Sequence, residues 1–101
     1  MTFAEFTSLC PVTGQPDFGS VTLSFVPRAA LIESKSLKLY LGSFRSHAVF
    51  HEAVVQTVFD RARELLGDVP LRVSGDFVPR GGVKIVTQRS HRLPELLALE
   101  G

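Results

Sequence analysis

Apolar and polar positions alternate through residues 20–27, where Val21, Leu23 and Phe25 fall on one side and Thr22 and Ser24 on the other. A period of two over this length predicts a half-buried strand, ended by Pro27. Residues 69–78 repeat the pattern with Val69, Leu71 and Val73, then Phe77. Residues 79–82, Pro-Arg-Gly-Gly, read as a turn, and residues 83–87 as the return strand of a hairpin. Residues 3–9 are short and mixed and predict a strand running up to Cys10. Residues 10–19 hold two prolines and two glycines and predict a loop.

Between these strands the period lengthens. Residues 33–45 set Leu37, Tyr40, Leu41 and Phe44 at i, i+3, i+4 and i+7, the apolar stripe of a helix. Glu33 stands at its start, where the helix dipole favours an anion, and Lys35 and Lys38 share another face. Residues 47–66 predict a second helix with Phe50, Val54, Val58, Ala62 and Leu65 toward the core and Gly67 as its stop. A short helix is expected around Leu93–Leu99. Strands, two helices and two further strands predict an α+β fold: a four-stranded antiparallel sheet with both helices on one face. Such a sheet is open, and its two edges tend to recruit neighbouring subunits.

Composition narrows the classes. At 101 residues the chain has the length of one domain, taken as residues 1–101. With 45% hydrophobic and 21% charged residues it is ordinary for a globular protein and unlike a disordered one. A net charge of +1 gives no basic stripe, which argues against direct nucleic-acid binding. No apolar run approaches the roughly 20 residues that span a bilayer, and Met1–Glu5 lacks the order of a signal peptide. Cys10 is the single cysteine, so no intramolecular disulfide forms, and a lone thiol suits a reducing compartment. The cytoplasm is the expected location.

Candidate chemistry starts at Cys10. A lone cysteine is commonly an inert, buried small hydrophobe. This one lies on a Pro/Gly-rich loop, where functional groups are held near the surface. A thiol with its ordinary pKa near ~8.5 is a poor nucleophile until something favours the thiolate. Asp17 follows in the same loop; its charge cannot favour a thiolate, but its carboxyl can relay protons, or simply form a turn. His51 and Glu52 open the second helix as either a solvated face or a recognition pair, since a carboxylate can accept two parallel N–H bonds from an amidine-like ring edge. Glu33 offers the same chemistry from the first helix. His47 and His51 have i, i+4 spacing, but with no third ligand nearby no metal site is expected. Lys35, Lys38 and Arg80 either serve solubility or clamp a phosphate, with Gly81-Gly82 allowing close backbone approach. Neither a G-x-G-x-x-G nor a Walker motif is present, so a nucleotide would need another kind of site.

Two stretches carry a resemblance. Residues 6–18, FTSLCPVTGQPDF, resemble the nucleophile loop of the 7-cyano-7-deazaguanine reductases, known as QueF; residues 33–40, ESKSLKLY, resemble that family's cofactor signature. The likeness continues through Leu41, Ser43, Phe44 and Arg45, and Phe50-His51-Glu52 and Pro79-Arg80-Gly81-Gly82 match at suitable distances. It spans residues 5–86 and is of the single-module type; the tail after Ile85 departs from the pattern, and the stretch before Cys10 is shorter than in such relatives. The resemblance implies the tunnelling fold, with sheets of several subunits closing into a barrel and active sites forming between them. It implies that Cys10 adds to a nitrile to give a covalent thioimide, that Asp17 supplies and relays protons, and that two NADPH reduce the adduct to a primary amine in queuosine biosynthesis. By position it implies that Ile32, Glu33, Ser34, His51 and Glu52 bind the 7-deazapurine, and that Lys35, Lys38 and Arg80 bind cofactor phosphates.

Two other readings stand beside this one. A relative that adds ammonia to the same nitrile in tRNA keeps the Cys/Asp pair but lacks the signature at residues 33–40. A non-catalytic purine-binding or purely assembling member of the fold has no need of Cys10, Asp17, Lys35 and Lys38 together.

Overall fold

The computed structural model describes residues 1–28, 32–46, 49–80 and 82–100, with the side chains of Ser34, Ser46 and Arg80 outside the description. Four strands form one sheet in the order β1-β2-β3-β4: β1 Thr2–Leu9, β2 Pro16–Phe25, β3 Leu71–Arg80 and β4 Val83–His91. Every neighbouring pair is antiparallel. Helix α1 (Ser34–Gly42) runs into a 3-10 turn at Ser43–Ser46, α2 spans His51–Leu66, and α3 spans Leu93–Glu100.

The period-two pattern translates directly into burial. Val21, Leu23, Val69, Leu71, Val73 and Phe77 are all buried, as alternation predicts. They share one apolar cluster with Leu37, Leu41 and Phe44 of the α1 segment and Val54, Val55, Val58, Ala62 and Leu66 of α2. Both helices therefore cover one face of the sheet. Gly67, at φ 78°, ends α2 in a conformation that only glycine adopts without strain.

Several expectations shift. The loop expected at residues 10–19 is shorter, because the β1–β2 ladder already begins at Leu9↔Pro16. A proline is tolerated at the first residue of a strand, where it owes no ladder hydrogen bond. Pro79 and Arg80 likewise belong to β3 rather than to a turn, beyond an irregularity in pairing between Phe77 and Arg80. Helix α2 starts at His51, not residue 47, which leaves Phe50 as its N-cap and 56% exposed rather than in the core. Leu65 is also exposed, at 50%, its expected place in the core being taken by Leu66.

Helix α3 is clasped to the sheet by polar contacts. Arg92, in the left-handed region at φ 54°, donates to both Glu95 carboxylate oxygens at 2.9 and 2.6 Å and to the Asp68 carbonyl at 3.1 Å. Arg72 donates to Glu100 at 2.6 Å.

Candidate active site

The β1–β2 hairpin ends in a tight loop that presents Cys10. Its backbone N–H donates to the Gln15 carbonyl at 2.8 Å, and its carbonyl accepts from Gly14, whose φ of 72° closes the turn. The Thr13 hydroxyl is the largest influence on the half-buried thiol, followed by backbone N–H groups of Thr13 and Val12. Together they lower its pKa below the ordinary thiol value, against the opposing effects of burial and the Asp17 charge. Hydrogen-bond donors directed at a sulfur stabilise its anion. The thiolate is thus favoured by the loop itself, and Asp17 works against it, as its sign requires.

Asp17 lies on β2 opposite Ser8, on the face covered by the helices, and both are buried. The segment before α2 is tied to the end of β1 by Val49 N–H donating to the Leu9 carbonyl at 3.1 Å. That tie delivers the first turn of α2 to the cysteine loop. His51 Nε2 stands 3.4 Å from Asp17 Oδ2, with both side chains about nine-tenths buried. At 3.4 Å the contact is long and is not a well-formed hydrogen bond. Glu52 beside it is exposed and suits the helix N-terminus by charge.

Cys10, Asp17, His51 and Glu52 line one cleft of about 190 Å³, walled by Phe50, Val78, Val83 and Ile85. The chemistry of this cleft is a polarised thiol, a sheltered carboxyl–imidazole pair and an exposed carboxylate against apolar walls. It suits nucleophilic attack on a small, partly apolar molecule.

The remaining predicted residues lie elsewhere on the chain. Ile32 lines a separate apolar cavity of about 190 Å³ between α1 and α2, with Leu37, Tyr40, Val58 and Leu65. Burial there raises the pKa of the Tyr40 hydroxyl. Glu33 is the N-cap of α1, exposed, with the Ser36 hydroxyl 3.5 Å from its carboxylate. Lys35 and Lys38 are exposed, and Lys38 lines a shallow concavity with residues 1–5 and Leu37. The side chains of Ser34 and Arg80, and all of His47 and Gly81, fall outside the described residues. Among the described residues no three His, Cys, Asp or Glu side chains group to hold a metal, and no helix is long and apolar enough to cross a membrane. Sequence reasoning missed Thr13, whose only signal was a hydroxyl three residues after the cysteine in a glycine turn. It also placed Phe50 in the core instead of the cleft wall.

Comparison with known proteins agrees on this architecture. The family model described as QueF-like protein matches residues 16–95. An NADPH-dependent 7-cyano-7-deazaguanine reductase of Maricaulis maris is 56% identical over 81 residues, 80% of this chain and 53% of the relative. The protein of the same name from Porphyromonas gingivalis is 48% identical over 98 residues, 93% of this chain and 64% of the relative. The chain spans about half the length of the first of these. In three dimensions it superposes on the apo archaeosine synthase QueF-Like with a TM-score of 0.82 at 17% identity, covering 90% of this chain and 89% of the other, a likeness of fold.

Proposed function

The chain belongs to the QueF-like protein family, and from that premise we propose that it reduces the nitrile of 7-cyano-7-deazaguanine to the primary amine 7-aminomethyl-7-deazaguanine, using NADPH, in queuosine biosynthesis. The observation that carries the reading is the Cys10 cleft, where a thiol inclined to ionise shares apolar walls with Asp17, His51 and Glu52.

In this reading Cys10 Sγ attacks the nitrile carbon. A C–S bond forms, one C–N π pair moves to nitrogen, and nitrogen takes a proton, giving a thioimide. The proton that leaves the Cys10 thiol passes by way of Asp17, with His51 beside it, to that nitrogen; the thiolate itself is favoured by the loop donors and not by the Asp17 charge, which disfavours it. NADPH, when bound, supplies hydride, and two equivalents with their protons complete nitrile to amine, Cys10 leaving as thiolate along the way. The Glu52 carboxylate is suited to grip the N–H edge of the deazapurine.

The cofactor's phosphates need cations free of other partners. Lys35 and Lys38 meet that need: both are exposed, on one helix, and in no ion pair among the described residues. They, with Arg80, would hold the phosphates. Since Ile32, Glu33 and Lys38 do not line the Cys10 cleft, the reading requires a second copy of the chain to bring them to it. Among the described residues β1 and β4 are the edge strands of the sheet, and such edges offer the route to a homo-oligomer. On this reading the partners are the small deazapurine and further copies of the chain, and a reducing cytoplasm would keep the thiolate available.

The direct test is intact-protein mass spectrometry after mixing with the nitrile in the absence of cofactor. One substrate mass should be added at Cys10, and Cys10→Ala should add none. Asp17→Asn should lower turnover by about 10²–10⁴-fold. Product that forms with ammonia and without NADPH would replace this reading with amidine formation.

A further inference from the structure

Phe77 is 1% exposed and is not part of the cleft wall, yet its ring lies face to face with His51, which is. The two ring centroids are 4.0 Å apart and the planes differ by 3°. Two glycines make the room. Gly19 is the cross-strand partner of Phe77, and a Cβ there would fall 2.9 Å from Phe77 Cδ1 and 2.6 Å from the Asp76 carbonyl oxygen. Gly75 lies two residues before Phe77 on the same strand face, and a Cβ there would fall 2.7 Å from Phe77 Cε2, 2.9 Å from Cζ and 2.9 Å from Val55 Cγ2. Phe6, fully buried, closes against the ring edge-on at 6.1 Å. The ring is therefore held on its strand side and at its edge, and its remaining face is the floor on which the imidazole rests.

His51 needs such a floor. It is the first residue of α2, and the helix has no side-chain cap to order that turn. The terminal torsion of an imidazole is broad, so packing must fix its plane. Its Nε2 is the atom that stands 3.4 Å from Asp17 Oδ2, and a turn of the ring would remove it.

We propose that Phe77, seated by Gly19 and Gly75, is a positioning residue that sets the plane of the His51 imidazole so that Nε2 addresses the Asp17 carboxylate beside Cys10. The kinetic consequence rests on the nitrile chemistry proposed above; the orientation of His51 does not.

The test is a cycle of Phe77→Leu with His51→Ala, with Phe77→Met, whose unbranched and flexible chain fills irregular core space, as the alternative should the leucine variant not fold. Phe77→Leu should slow formation of the Cys10 adduct on the order of tenfold, since small misplacements of a reacting group carry penalties of this size or more. Alkylation of Cys10 by iodoacetamide should stay within about twofold, because it does not use the imidazole. In the His51→Ala background the Phe77 substitution should change the adduct rate by less than about twofold. Leu71→Val, a core substitution at the other end of β3, should lower thermal stability without this kinetic loss. Equal slowing in the His51→Ala background, or by Leu71→Val, overturns the proposal. Nitrogen-15 spectra of the histidine rings give a readout independent of the reaction. His51 should pass from a single ordered state in the parent to an averaged one in Phe77→Leu, while His91 is unchanged; an unaltered His51 signal also overturns it. If the parent forms no adduct at all, the nitrile reading falls, and the ring spectra alone decide the positioning role.

Discussion

Ser8 stands directly across the β1–β2 ladder from Asp17, and among the described residues these are the two polar side chains buried in the core. The Ser8 hydroxyl has no hydrogen-bond partner among the described residues. An unsatisfied buried hydroxyl costs about 1–3 kcal/mol relative to a satisfied one. Ser8→Ala removes that cost while keeping the volume close, so thermal unfolding should show a midpoint no lower than the parent's. A drop of several degrees would mean that the hydroxyl is satisfied in solution, with water as the candidate partner.

The reactivity of Cys10 should carry the signature of its loop. Because the Thr13 hydroxyl leads the lowering of the thiol pKa, the pH midpoint for alkylation by iodoacetamide should fall below the ordinary thiol value of about 8.5. Thr13→Val keeps the backbone donors and the side-chain shape but removes the hydroxyl, and should move the midpoint upward. Asp17→Asn removes an opposing negative charge, and should move it downward. A Thr13→Val profile that overlays the parent would show that the backbone donors alone set the thiol.

Thr13 also marks how far the sequence could be read. Val21, Leu23, Val73 and Phe77 were assignable to the core because alternation along a strand is a local property. Cys10, Asp17, His51 and Glu52 were assignable to one site through their motifs, and they do line one cleft. What failed depended on contacts between distant segments. Pro16 and Asp17 read as loop by composition, but pairing with Ser8 and Leu9 makes them strand. Phe50 read as a core position because the helix was started too early; one displaced boundary moved it from the core to the cleft wall. The stack of Phe77 on His51 joins β3 to α2 and has no sequence period at all. Gly19 read only as part of the loop at residues 10–19 and Gly75 only as a position in a strand, so the close approach of Phe77 to both had no reading in the sequence.

Acid should loosen the clasp at α3 before the core. His91 Nε2 lies 2.6 Å from Asp68 Oδ1, and Arg92 is nearby at 3.8 Å. The hydrogen bond from His91 is the main cause, with lesser help from Arg92, that holds the Asp68 carboxyl below its usual pKa. A carboxyl depressed in the folded state contributes stability that is present above its unfolded pKa and disappears as pH falls through the folded one. The thermal midpoint should therefore decline below about pH 4, and Asp68→Asn should flatten that part of the profile while lowering the plateau at neutral pH. Because the pair is exposed the change should be small. A profile for Asp68→Asn with the parent's slope would exclude this contribution.

The cofactor assignment separates the reductive reading from its competitors. Lys35 and Lys38 lie on α1, outside the Cys10 cleft, and Lys38 faces a concavity shared with the first five residues. If they hold NADPH phosphates, their removal must act on a step that follows adduct formation. Lys38→Ala should raise the Michaelis constant for NADPH while leaving thioimide absorbance on mixing with the nitrile unchanged. Loss of one charge-assisted contact costs little at a wet rim and a few kcal/mol when desolvated, so the size of the rise reports how well the site is closed by a neighbouring copy. The amidine-forming alternative expects product without cofactor and indifference to Lys38. Stopped-flow absorbance and steady-state NADPH oxidation measure both quantities on one preparation. If Lys38→Ala abolishes the thioimide but keeps its dependence on NADPH, then the basic face of α1 serves the deazapurine, and the division of residues between substrate and cofactor has to be reversed.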